Sequence, residues 1–127
     1  MAKKKLKITD QIQSYLDACK YNGKQPIDRE ALLALGFTTK QIAGIELEEI
    51  TLALNEGKPT DIYNGELRYY PVFWTYQGPS GFAFRYSRCA TTYATAGSGS
   101  RLRVLSEIAA DHIGRTFPEV WEAVQLK

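Results

Sequence analysis

Residues 67–93 read LRYYPVFWTYQGPSGFAFRYSRCATTY, and this stretch decides the fold. Aromatic and β-branched residues dominate Leu67–Gln77 and Phe82–Tyr93 and alternate between two faces, while Gly78-Pro79-Ser80-Gly81 between them is a turn cluster. These are the marks of two antiparallel strands joined by a short loop. With the turn centred on Pro79-Ser80, Trp74 stands opposite Arg85 and Phe73 opposite Tyr86. One face then carries Tyr69, Pro71, Phe73, Phe82, Phe84 and Tyr86, and is apolar enough to pack on helices. The other carries Tyr70, Val72, Trp74, Tyr76, Ala83, Arg85, Ser87 and Cys89, with Arg85 set to stack on the Trp74 indole. An isolated hairpin is marginal in water, so it must lie on helices or gain a third strand, for which residues 60–66 are available.

Helical patterns flank the hairpin on both sides. Upstream, Thr9 and Asp10 are helix-capping types, and Ile12, Tyr15, Leu16 and Cys19 form one apolar face ending at Asn22-Gly23. A second helix starts at Pro26-Ile27-Asp28 with Asp28 as cap, Leu32, Leu33 and Leu35 inward, and Gly36 as its end. Thr38 and Gln41 form a capping box for a third helix, with Phe37 placed to staple onto Ile42. Its apolar positions Ile42, Ile45, Leu47, Ile50 and Leu54 run to about Asn55. Downstream, a helix is expected from about Arg101 to Ile113 with Leu102, Leu105, Ile108 and Ala109 inward and Gly114 as its stop. Thr116-Phe117-Pro118-Glu119 is a further capping box, opening a short last helix that buries Val120, Trp121 and Val124. The expected fold is α+β: an N-terminal three-helix unit, a central antiparallel β-hairpin and two C-terminal helices. Residues 1–7 form a basic tail, and 8–127 form one domain with a helical part (8–56) and a part made of the hairpin and the last helices (60–127).

Charge marks out the hairpin a second time. No Asp, Glu or Lys occurs between Glu66 and Glu107, whereas Arg68, Arg85, Arg88, Arg101 and Arg103 all do. Nine of the chain's fifteen aromatic residues lie in the same stretch, so rings and guanidinium groups are interleaved there. Arginine neutralises phosphate, and exposed rings stack on bases at about 1–3 kcal/mol each. The expected contact set on the hairpin is Arg68, Tyr70, Trp74, Tyr76, Arg85 and Arg88. Thr95-Ala96-Gly97-Ser98-Gly99-Ser100 leads into the expected helix at Arg101, where Ser98, Ser100, Arg101 and Arg103 would form an anion cradle at the helix start. A bland alternative explains part of this: strands favour aromatics and disfavour acids, and a serine before a helix is often only its cap.

Other classes find little footing. A net charge of +2 over 127 residues does not by itself call for a polyanion, and 44% hydrophobic residues suffice for a core without metal or disulfides. Cys19 and Cys89 with the single His112 cannot make a zinc site, and both cysteines read as buried thiols. His112 beside Asp111 lacks a nucleophile at a recognisable spacing, so no catalytic residue and no cofactor is assigned. The N-terminal MAKKKLK has no apolar core of a secretory signal, and no segment is long enough to span a membrane, so cytoplasm is the expected location.

Three short resemblances complete the picture. Residues 29–45, REALLALGFTTKQIAGI, resemble a helix-turn-helix, and also the ubiquitin-associated type of three-helix domain through Leu35-Gly36-Phe37. A DNA-reading second helix would continue into Glu46, Glu48 and Glu49, which repel phosphate. Residues Thr91–Gly114 resemble the segment with which Gcn5-related acetyltransferases hold coenzyme A, but Ala94 stands where that family has Arg or Gln. The expected function is therefore a small non-enzymatic binding protein whose partner is nucleic acid or an acidic protein surface. A protein-interaction factor using the same hairpin is the alternative, and the hairpin edge offers a route to a homodimer.

Overall fold

The computed structural model describes residues 7–58, 67–75, 82–91 and 102–126, with side chains placed except at 67, 68, 74, 75, 82, 83, 89–91 and 126. In chain order these form α1 (Ile8–Gln11), α2 (Tyr15–Asn22), α3 (Arg29–Ala34), α4 (Thr39–Leu54), β1 (Leu67–Thr75), β2 (Phe82–Thr91), α5 (Glu107–Thr116) and α6 (Pro118–Leu126). The class is α+β as expected, with helices on both sides of an antiparallel hairpin. One hydrophobic core joins the two halves. Ile12, Leu47, Ile50 and Leu54 from the N-terminal helices meet Val104, Ile113, Phe117 and Trp121 from the C-terminal part, with Tyr69 and Phe73 of β1 packed against them.

Several helix ends form as their chemistry dictates. Asp28 caps α3 by accepting from the Ala31 N–H, and the Thr38–Gln41 capping box is made in both directions at the start of α4. Gly23 ends α2 in the left-handed conformation (φ 69°). The first expected helix, however, is two. The chain turns extended at the buried Ile12 (φ −107°, ψ 90°), and Ser14 starts α2 afresh by accepting from the Asp17 N–H. The Gln13 N–H donates to the Asp17 carboxylate at 3.0 Å, so a local cap outcompetes the apolar periodicity that ran through it. The freed Ile12 carbonyl accepts from His112 Nε2–H at 2.6 Å. That contact assigns the tautomer: Nδ1 then accepts from the Thr116 hydroxyl at 3.3 Å. His112 is a clamp across the helix break.

Helix α3 departs from expectation. Leu33 and Leu35 are 49% and 76% exposed, and only Leu32 is half-buried. A helix of fewer than two turns can turn little more than one residue inward, and α3 is held to α4 by the Arg29–Glu46 ion pair at 3.2 Å. Burial pushes the Glu46 carboxyl above the usual glutamate range, and the Arg29 guanidinium only partly pulls it back. A raised carboxyl favours the folded state when protonated. That stability is present below the ordinary glutamate range and is lost as pH rises through the folded value. Glu46→Gln should therefore be more stable than wild type near neutral pH, with the difference shrinking as the solution is acidified. Melting temperatures of both proteins across that range check this, and a difference that grows on acidification would mean the ion pair outweighs desolvation.

The C-terminal part corrects two more boundaries. Helix α5 begins at Glu107, capped by Ser106, and not at Arg101. Its approach, Leu102–Leu105, runs beside β1: Tyr69 and Val104 exchange backbone hydrogen bonds at 2.7 and 2.9 Å. The Asn55 side chain fixes the same segment from the other side, donating to the Arg103 carbonyl (3.1 Å) and accepting from the Leu105 N–H (2.8 Å). These bonds over distance override the helical spacing of Leu102, Leu105 and Ile108, and Ile108 ends up 72% exposed. Additional pairing to β1 thus comes from Val104; residues 60–66, the expected source, lie outside the described residues. Gly114 is no stop. It is buried within α5, where Phe84 and Pro71 of the hairpin lie against its Cα.

Candidate functional site: an arginine–tyrosine face on the hairpin

The register decides what the outer face of the hairpin holds. Tyr70 pairs with Arg88, Pro71 with Ser87 and Val72 with Tyr86, but Phe73 then pairs with Phe84 and Trp74 with Ala83. One strand advances one residue while the other advances two, so Arg85 is an extra residue, a β-bulge. The expected Trp74–Arg85 pair is not formed. The bulge also moves the β2 residues beyond Arg85 across the sheet relative to simple alternation, Tyr86, Ser87 and Arg88 among them. Ser87 joins the packed face, where its hydroxyl donates to the Asp111 carboxylate of α5 at 2.6 Å. Tyr86 joins Tyr70 and Val72 on the face turned away from α5. No turn or glycine signal at Arg85 announced this, so sequence alternation misplaced Tyr86.

Four guanidinium–ring contacts follow. The Arg103 guanidinium carbon lies 4.6 Å from the centre of the Tyr70 ring. Arg85 and Arg88 lie 4.8 and 5.1 Å from the centre of the Tyr86 ring. On the packed side, Arg115 lies 4.8 Å from the Phe84 ring centre. Each such contact at a partly exposed site is worth about 0.5–1 kcal/mol. Because Tyr70 and Arg88 are direct cross-strand partners, the order Arg103, Tyr70, Arg88, Tyr86, Arg85 runs unbroken across and along the sheet. The hairpin strands contribute no carboxylate to it, since none occurs between Glu66 and Glu107.

The two groups of residues singled out in the sequence meet in this row, through Arg103 and Tyr70. Arg68 pairs with Ala90 in β1, and Trp74 is likewise in β1, but their side chains are not among those described. Tyr76, Ser98, Ser100 and Arg101 lie outside the described residues. The helix expected to start at Arg101 starts at Glu107, capped by Ser106, so the α5 amides do not lie at Arg103; the other residues of the expected cradle, Ser98, Ser100 and Arg101, lie outside the described residues. Sequence inspection also missed Asn55, which read only as a helix end yet positions the backbone of Arg103.

Elsewhere, a cleft of about 550 Å³ lies between α4 and the α2–α3 connection, lined in part by Tyr15, Lys24, Glu48, Glu49 and Lys58. Its charges are of both signs, and Lys24 is paired with Glu49 at 3.6 Å. Burial pushes the Tyr15 hydroxyl up to about 12, with Cys19 adding to the rise, and the hydroxyl accepts from the Ile27 N–H at 3.1 Å. Among the described residues no three His, Cys, Asp or Glu side chains cluster as a metal site, and no helix is long and apolar enough to cross a membrane. Cys19 is a buried free thiol, as expected. Compared with protein-family models, curated proteins and solved structures, the chain matches none of them.

Proposed function

We propose that this chain is a small binding protein that engages an anionic partner through its arginine–tyrosine face, and that nucleic acid is the partner the face suits best. It performs no chemistry of its own in this reading. The observation that supports it is the row Arg103–Tyr70–Arg88–Tyr86–Arg85, in which each described ring has a guanidinium group over it and no hairpin residue is acidic. Stacking on a ring holds a guanidinium in a fixed plane, so less side-chain freedom is lost when it meets a phosphate. Three arginines held this way make a pre-organised cationic surface on a chain of modest net charge.

Salt dependence tests the proposal. Binding of a labelled oligonucleotide should weaken as a power of salt concentration, and Arg88→Ala should make the slope shallower by about 0.9, the value of one phosphate contact. Arg88 is exposed, so its removal leaves the core intact. An acidic protein surface is the competing partner, since Tyr and Arg also dominate protein interfaces. Capture of a protein that withstands high salt, together with no oligonucleotide binding at low salt, would decide for that partner.

A further inference from the structure

We infer that residues 24–35 form a strap, hinged at Gly23 and Gly36, which opens from α4 as one unit and so moves one wall of the cleft beside that helix. Between 23 and 41 only Ile27 and Leu32 are even half-buried, and every other residue is exposed. Helix α3 buries none of its residues, whereas α4 buries eight of its sixteen. Leu33 and Leu35 already face water while the strap is closed. Opening therefore gives up little apolar burial, which is the main term that would oppose it. Segments with so few buried apolar contacts are the ones that open at low free energy, well short of global unfolding.

What ties the strap down is polar. The Ile27 N–H donates to the Tyr15 hydroxyl at 3.1 Å, Arg29 pairs with Glu46 at 3.2 Å, and Lys24 pairs with Glu49 at 3.6 Å. The Arg29 and Lys24 side chains are 53% and 60% exposed, so water competes for both ion pairs. Glycine stands at each end with positive φ, 69° at Gly23 and 100° at Gly36, and no neighbouring atom lies within 4 Å of where a Cβ would be. Both positions can change conformation without meeting a packed side chain. At six residues, α3 is well below the about 12–15 that a helix needs to persist alone, so its hydrogen bonds are lost once it leaves α4. The strap supplies Lys24, Gln25 and Ile27 to the cleft of about 550 Å³, and α4 supplies Ile45 and Leu52. Opening separates these two sets and uncovers the cleft.

Amide hydrogen exchange of the full chain in low concentrations of denaturant tests this. The Ile27 amide reports the tie to Tyr15, while the Leu32 and Leu35 amides, which donate to the Asp28 and Ala31 carbonyls, report α3 itself. All three should show one common opening constant, on the order of a hundredfold above that of Leu47 and Ile50 in α4, with a shallower dependence on denaturant because little surface is exposed. Arg29→Ala should raise that constant about two- to fivefold, by the same factor at Ile27, Leu32 and Leu35. Tyr15→Phe, which removes only the tie at Ile27, should quicken Leu35 as much as Leu32. Strap amides that share the opening constant and denaturant dependence of α4 would overturn the inference, because the segment would then open only when the whole chain unfolds. A response confined to Leu32 and Leu35 in Arg29→Ala, or a Leu35 amide unmoved in Tyr15→Phe, would overturn it too, by showing that α3 frays where it stands.

Discussion

Gly114→Ala should destabilise the fold by about 1–3 kcal/mol, although alanine is the better helix former. A Cβ at Gly114 would fall on Phe84 Cδ2, within 2.8 Å of Phe84 Cε2 and 2.9 Å of Pro71 Cβ. Pro71 is part of the β1 backbone and cannot move alone. Phe84 is held by the Phe73 ring on its edge, 6.3 Å between centres, and by Arg115 above it. Exchanging glycine for alanine inside a helix returns about 1 kcal/mol, so relief of the clash must cost more than that for the net effect to be a loss. Chemical denaturation of the two proteins measures it. An unchanged or raised midpoint would show that α5 and the hairpin do not approach this closely. Since α5 carries the Ser87–Asp111 contact as well, a separated helix should also free Ser87 and loosen the strand that bears Arg85 and Arg88.

The second large effect belongs to Asn55. Its residue is 4% exposed, and its amide satisfies both the Arg103 carbonyl and the Leu105 N–H. Asn55→Ala strands these two backbone groups at about 1–3 kcal/mol each where water cannot replace the amide, so a loss of about 2–6 kcal/mol is expected. Asn55→Asp discriminates between volume and hydrogen bonding. It keeps an acceptor for Leu105 but sets a carboxylate oxygen against the Arg103 carbonyl, and it should not rescue. Amide exchange at Val104 and Leu105 should quicken in both variants, and protection equal to wild type would remove Asn55 from its role. Because the same bonds hold the Arg103 backbone beside Tyr70, anion binding should weaken beyond what the stability loss alone explains.

Local chemistry was the legible part of this fold. Asp28, Thr38 with Gln41, and Gly23 act within a turn of themselves, and each does what its side chain or backbone freedom dictates. The pairing of the two strands was legible for a similar reason, since their alternating segments lie close together in sequence, but beside the turn they pair two residues out of the expected register, Trp74 with Ala83 and Phe73 with Phe84. What escaped depends on partners far along the chain. Leu102–Leu105 has helical spacing but is held out of α5 by Tyr69 and Asn55, which are more than thirty residues away. Ile12 breaks a helix where His112 receives its carbonyl, a hundred residues downstream. The candidate site shows the same division. Arginine, rings and missing acids were plain in the composition, but which ring meets which cation turned on one extra residue at Arg85.

That residue also bears on self-association. Among the described residues β2 pairs only with β1, so its outer edge presents backbone donors and acceptors that another extended chain could copy. A dimer built by joining two such edges needs an uninterrupted ladder. The bulge interrupts it midway, and Arg85 and Arg88 would bring like charges together from both copies. Deleting Arg85 should restore an even ladder and remove one of these charges, turning a guarded edge into one open to fibre-like stacking.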